Sequence, residues 1–368
     1  MSLSRLLTPT VLSLAVVLMP WVAIAEEEPT IQIAILLDSS NSMDGLIDQT
    51  RSQLWTVVNA LTDVRKDGKI PNLEVALYHY GNDSLPYSEG FNRQLTDFTT
   101  ELDGVSEKLF EIRTNGGQEY SGWVIESATN QLNWTNDDDD FRAIFIAGNE
   151  PFDQGKVSWR DAVTLASRDG ILVNTIYCGS AESQERDLWA AGASLASGAN
   201  FNINQDRAVI VQESPYDEEI RDLNARLNTT YIPYGEDGTR GVQRQLQQDM
   251  NAGAAIVTRG SSKSSAYYRN ASWDLVDAID ENTVDLETLE EEALPAELQG
   301  LSTEEKEAYI LGVQSERAEI QAEIRDLTAK REEYIRSLPS NEDPRDTLDY
   351  VMIQALREQL ARKGFILQ

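Results

Sequence analysis

Apolar residues first form an almost unbroken run, Ile31-Gln-Ile-Ala-Ile-Leu-Leu37, the pattern of a strand covered on both faces in a parallel sheet. The spacing then changes. Leu46, Leu54, Val57, Val58 and Leu61 recur largely at helical intervals, so a helix is predicted from Gly45 to Leu61, with Gly68 and Pro71 breaking the pattern behind it. Leu73 to Tyr80 is the second predicted strand. The order repeats with helices near Asp103 to Ile112 and Glu119 to Leu132, a buried strand Ala143 to Ala147, a helix Ser158 to Arg168 and a strand Ile171 to Cys178. A helix around Glu185 to Leu195 and a short strand near Asn200 to Ile203 complete the series. Strands alternating with helices predict an α/β fold with a doubly wound, mostly parallel sheet. In such sheets ligands bind where strand C-termini feed loops, which places the loop beginning at Asp38 at the candidate site.

Past about residue 208 the pattern changes to a C-terminal α-helical extension. Asp217 to Leu227 and Tyr267 to Ile279 read as helices, separated by Tyr231-Ile-Pro-Tyr-Gly235 and a polar, glycine-containing segment. Asp280 to Glu305 is acidic and expected to be loosely held. Val313, Ile320, Ile324, Leu327, Tyr334 and Leu338 then form an imperfect coiled-coil seam that includes Arg317 and Arg331. After a break between Pro339 and Pro344, Leu348, Val351, Met352, Leu356 and Leu360 mark a second amphipathic helix, expected to fold back on the first as a hairpin. Such a hairpin either covers its own apolar face or docks on the sheet domain, or else it binds a partner or self-associates.

Composition narrows the function. The 368 residues contain 41% hydrophobic and 25% charged side chains, as a folded chain does, but the net charge is −31. Clustered Lys and Arg are lacking, so nucleic acid and anionic membranes are disfavoured partners; the excess of carboxylates is compatible with cationic ligands and metal ions and equally with solubility in salty surroundings. Arg5, the apolar run Val11 to Ala25 and the close on Ala23-Ile24-Ala25 before Glu26 read as a secretory signal peptide. That implies export to the periplasm or beyond, with no membrane span after cleavage. Cys178 is the only cysteine, so no internal disulfide forms, and its apolar company marks a core strand residue. The resulting partition is a signal peptide over 1–25, the sheet domain over 30–205, a helical extension packed on it over 206–280, an acidic linker over 281–301 and the hairpin or coiled coil over 302–368.

The candidate chemistry lies in Asp38-Ser39-Ser40-Asn41-Ser42, directly after a buried strand and before a helix. A tight loop can turn Asp38, Ser40 and Ser42 toward one point, and a carboxylate with two hydroxyls suits a hard divalent cation, Mg²⁺ first and Mn²⁺ or Ca²⁺ otherwise. The competing reading is that Asp38 and Ser42 cap the following helix.

The stretch Ile31 to Met43, with the strands and helices downstream to about residue 205, resembles the von Willebrand factor type A family. The resemblance implies a metal-ion-dependent adhesion site: the Asp38 loop, a Thr from a second loop and an Asp from a third, with one coordination position left for a partner's carboxylate. Two parts depart from that pattern. Where the family has Gly-Gly-Thr, this chain has Gly116-Gly117-Gln118-Glu119. Counting back from Gly122 puts Glu119 at the Thr position, and counting forward from the glycines puts Gln118 there; Glu119 is preferred because it offers a carboxylate. In the third loop, Ala147-Gly148-Asn149-Glu150-Pro151 has Gly148 in place of the Asp, with Asn149 or Glu150 as substitutes. The expected metal set is therefore Asp38, Ser40, Ser42, Glu119 and Glu150.

No enzyme is indicated. The only histidine, His79, lies in a predicted strand between two tyrosines, and no phosphate-cradling glycine loop is present. The reading is an exported, metal-ion-dependent, adhesion-type protein-binding module whose partner offers a carboxylate. The alternative is a scaffold assembled through residues 302–368, with a degenerate metal loop.

Overall fold

The computed structural model describes residues 28–206, 211–339 and 347–367; the signal-peptide reading over 1–25 lies outside them. The chain opens with β1 (Thr30–Asp38), α1 (Asp44–Asn59), β2 (Val64–Arg65), β3 (Asn72–Tyr80) and β4 (Asn92–Thr99). Next come α2 (Leu102–Glu111), α3 (Ser121–Gln131), β5 (Phe141–Gly148), α4 (Trp159–Arg168), β6 (Leu172–Tyr177), α5 (Glu185–Leu195) and β7 (Asn200–Asn202). One six-stranded sheet takes the order β4-β3-β1-β5-β6-β7. All its pairings are parallel except β3 with β4. The doubly wound, mostly parallel sheet read from the sequence is thus the fold observed.

Strand periodicity divides the core. Ile31, Ile33, Ile35 and Leu37 of β1 face one layer with Leu46, Leu54, Trp55 and Val58 of α1. Ala34 and Leu36 face the other with Val124 and Ile125 of α3, Val163 of α4 and Trp189 of α5. Register positions the loops. Asp38 pairs with Tyr80 and Leu37 with Ala147, so β1, β3 and β5 end side by side at one sheet edge. β4 was not foreseen: Asn-Arg-Gln-Leu-Thr-Asp-Phe-Thr is an edge strand whose residues are mostly half-buried, so it lacks an apolar run.

Beyond the sheet come α6 (Asp217–Asn228), α7 (Gly238–Ala252), α8 (Ile256–Lys263), α9 (Leu275–Asp280), α10 (Thr303–Ser337), α11 (Leu348–Arg362) and the two-residue β8 (Ile366–Leu367), which pairs with β2. α7 and α8 fill the segment read as merely polar. α7 buries Gln245 and Gln248 rather than aliphatics, so no apolar stripe announced it. Tyr267 to Asp274 is not helical; only Leu275 to Asp280 is.

Two expectations for the C-terminal region are corrected. The helical hairpin does not form: α10 lies along α6, α8 and α9, whereas α11 packs on α1. The seam residues Ile320, Ile324 and Leu327 join the main core, as do Leu348, Val351, Met352, Leu356 and Leu360. Of the alternatives left open, docking on the domain is the one found, and both apolar stripes are used within the chain. The two arginines of the α10 seam fit this packing. Arg317 binds Asp274 at 2.7 Å and Asp277 at 2.8 Å beneath the ring of Tyr231, and Arg331 reaches Asp217 at 2.9 Å. The acidic linker is also not loose. Leu294 and Leu298 are buried with Ile232, Leu275, Val276 and Ile310 while the carboxylates between point outward. Among the described residues no helix is long and apolar enough to cross a membrane.

Candidate metal centre

Three loops leave the sheet where β1, β3 and β5 end. The first is clamped through its main chain. Ser39 N donates to Tyr80 O at 2.8 Å, Asn41 N to Gly116 O at 3.0 Å, and Asn115 N to Ser39 O at 3.1 Å. Asn82 Nδ2 ties Ser39 O, at 3.1 Å, to Arg113 O, at 2.9 Å. What this loop leaves for chemistry is a carboxylate and two hydroxyls. Ser40 Oγ and Ser42 Oγ stand 3.2 Å apart. Asp38 is fully buried, and its Oδ1 accepts from Ser40 N at 2.8 Å. Its Oδ2 is buried and has no hydrogen-bond partner among the described residues.

An orphaned buried carboxylate oxygen costs several kcal/mol unless something cationic or protic meets it. Burial drives the Asp38 carboxyl well above the usual range, opposed by the Ser40 N–H and reinforced by the negative charges of Glu119 and Glu150. Helix capping does not account for these side chains: neither the short 3-10 turn at Asn41–Met43 nor α1 has a side-chain bond at its N-cap.

The second loop brings Glu119 against Asp38. Gly81, at φ 72°, lies between them, and a Cβ there would stand 2.8 Å from both Asp38 Oδ1 and Glu119 Cγ. Only glycine permits that approach in that backbone region. Glu119 is buried, and burial with the charge of Glu150 raises its pKa to about 7, against its own backbone N–H and the Ser40 hydroxyl. Gln118 is exposed and accepts a hydrogen bond from Tyr120 outside the site. Of the two alignments, Glu119 is therefore the residue placed at the loop.

The third loop is crowded at Gly148. A Cβ there would meet the Tyr80 hydroxyl at 2.5 Å, Trp189 at 3.1 Å and Asp38 Cβ at 3.2 Å, so a side chain at this position requires the buried Tyr80 to shift. Asn149 Nδ2 stands 3.1 Å from Ser42 Oγ and makes this loop's direct contact with the hydroxyls. Glu150 is set back: its carboxylate accepts from Gln154 at 3.3 Å and acts on Asp38 and Glu119 through its charge. Among the described residues no three His, Cys, Asp or Glu side chains converge as a ligand set by themselves. The fit to a cation therefore depends on Asp38 and Glu119 acting together with Ser40 and Ser42. That is a hard oxygen set.

Sequence reasoning missed Asn82, Tyr80 and Gly81. The available signal was position, since all three lie where β3 ends and register brings that end to Asp38. Cys178 is a buried core residue, its thiol pushed up by burial with Asp38 adding to the effect. His79 is buried with Nδ1 3.0 Å from Ser39 Oγ, bracing the loop from behind.

No family model matches the chain, and no curated protein does. Solved structures that align with it include BatB from Bacteroides thetaiotaomicron, at 16% identity and TM-score 0.37, over 47% of this chain and 90% of that one. The VWA domain of SpRpn10 aligns at 12% identity and TM-score 0.36, over 50% of this chain and 100% of that one. Proximal thread matrix protein 1 from the mussel byssus, with a zinc-occupied MIDAS motif, aligns at 12% identity and TM-score 0.39, over 49% of this chain and 43% of its own length. Each alignment takes in about half of this chain.

Proposed function

We propose that this chain is an exported, non-enzymatic binding module that holds a divalent cation in the Asp38 loop and engages a protein partner through it. The observation that carries the reading is the fully buried Asp38, whose Oδ2 has no hydrogen-bond partner among the described residues while Ser40, Ser42 and Glu119 stand around the same loop. Asp38 and Glu119 would supply charge, and Ser40 and Ser42 neutral oxygens. The bound ion would offer a Lewis-acidic position to a partner's carboxylate. This chain's own contribution is to hold the donors rigidly at a sheet edge where loops, not helices, face outward.

The test is thermal unfolding of the purified mature chain with Mg²⁺, Mn²⁺ or Ca²⁺ against chelator. Binding to the folded state alone stabilises by about 2.7 kcal/mol when the ion stands a hundredfold above its Kd. Wild type is expected to gain this and Asp38→Ala to lose it while remaining folded in chelator. Identical melting of wild type with each ion and with chelator removes the metal from the reading.

A further inference from the structure

A cluster of aromatic rings adjoins the candidate metal centre. Tyr120 follows Glu119 directly, stacks parallel on Trp123 at 6.3 Å, and meets Tyr87 and Phe91 edge-on at 6.5 and 5.7 Å. Tyr87 is 57% exposed, the largest ring exposure in the cluster. Lys156 reaches over this group, its ammonium 4.3 Å from the Trp123 ring and 5.5 Å from Tyr87. It pairs with no carboxylate among the described residues. Phe91 is held at φ 50°, a region that a bulky side chain rarely adopts. Its carbonyl accepts from Gly81 N at 2.9 Å, and Gly81 is the residue wedged between Asp38 and Glu119. The rings and the carboxylates are thus built on the same backbone.

We infer that these rings and Lys156 form a second recognition element for the partner, an extended protein segment that carries an Asp or Glu beside an aromatic residue. This rests on the ion-dependent reading above. The charges select the chemistry. Asp38, Glu119, Glu150 and Asp83 offer an approaching carboxylate no positive charge. The attraction available to such a segment therefore comes from the ion and from Lys156. The rings then meet the residue next to the carboxylate, and an aromatic side chain both stacks on them and tolerates the nearby ammonium.

The test is selection of random displayed peptides on the immobilised mature chain in Mg²⁺ with release by chelator, repeated on Tyr87→Ala and Lys156→Glu. Both variants must retain the Mg²⁺-dependent thermal shift, which shows the fold and the ion loop intact. Wild type should release peptides enriched in an acidic residue adjacent to Trp, Tyr or Phe. Tyr87→Ala should keep the acidic residue and lose the aromatic preference, Lys156→Glu should weaken the acidic preference, and resynthesised peptides should bind either variant roughly two- to tenfold more weakly; unchanged binding to Lys156→Glu removes Lys156 from the element. Acidic peptides with no aromatic preference, or a preference unchanged in Tyr87→Ala, overturn the inference and leave ion-dependent binding standing. Aromatic peptides indifferent to chelator overturn it too, as does capture by a glycan array that Tyr87→Ala abolishes. If chelator releases no enriched peptide at all, the proposed function fails first.

Discussion

Replacing Glu119 by Gln should move stability in opposite directions with and without metal. The side chain keeps its shape and loses a charge that the folded chain holds at a cost. Glu119 is 6% exposed, and burial, then Glu150, raises its pKa from 4.5 to about 7. At about 1.36 kcal/mol per unit, the shift corresponds to roughly 3 kcal/mol at most, and nearer 1–2 kcal/mol once solvent near the loop surface screens it. A carboxyl raised in the folded state favours folding below its unfolded pKa, and that contribution is lost as pH rises through about 7. In chelator at pH 8, Glu119→Gln should therefore be the more stable protein by roughly 1–2 kcal/mol. At pH 4 the two should unfold alike. In saturating Mg²⁺ at pH 8 the order should reverse, because wild type offers the ion two carboxylates and the variant one. Urea unfolding followed by tryptophan fluorescence, at both pH values and with metal or chelator, measures all four differences. The reasoning is refuted if Glu119→Gln is less stable than wild type in chelator at pH 8, which would make the carboxylate structural. Equal stabilisation of both proteins by Mg²⁺ would exclude Glu119 as a ligand.

Gly148→Ala should destabilise by about 1–3 kcal/mol through overpacking, and adding Tyr80→Phe should recover part of the loss, since the Tyr80 hydroxyl is the nearest atom at 2.5 Å; a double-mutant cycle in urea that shows no coupling contradicts the contact. His79 is held near pKa 4 by burial and then by Arg93, so stability should be full above about pH 6.5 and fall as pH drops through about 4, by up to roughly 3 kcal/mol. The single-histidine NMR titration gives its folded pKa, and His79→Gln should flatten the acid limb of the stability curve. Arg317→Leu should cost about 3–5 kcal/mol because it leaves Asp274 buried and uncompensated. Replacing Asp274 by Asn in that background should restore part of the loss, and a failure to do so in the same denaturation assay counts against the ion pair.

The sheet was legible because its signal is local. β1, β3, β5 and β6 are short apolar runs, and each helix between them has its own spacing, so order alone defined the layers. The position of the Asp38 loop was legible for the same reason: Asp38, Ser40 and Ser42 follow their strand directly in the chain. What was not legible depends on partners distant in sequence. β4 is half-exposed and gains its identity only by pairing with β3. α7 is polar on its buried face because Gln245 and Gln248 bond to Tyr268 and Ser106 there. The amphipathic stripes of α10 and α11 were read, but a stripe does not say which surface it meets. In the site, Gly148 read as a lost ligand, whereas Tyr80 from another strand occupies the space a side chain would need. The segments holding Thr230, Tyr231 and Asp274, far apart in the chain, together form the socket for Arg317.

The docking of α11 on α1 has a mechanical consequence. Leu348 N and Asp349 N at the start of α11 donate to Gln49 Oε1 and Gln53 Oε1 of α1, at 3.3 and 3.1 Å. The amide of Gln49 in turn holds Asn204 O and Gln205 O, at 2.8 and 2.9 Å, and Gln205 Nε2 holds Ser42 O at 2.8 Å. A load applied to α11 is therefore borne by α1 and by the stretch that grips Ser42, in the loop that follows Asp38. Displacing α11 would therefore reach the Ser42 loop through Gln49 and Gln205 rather than through the sheet.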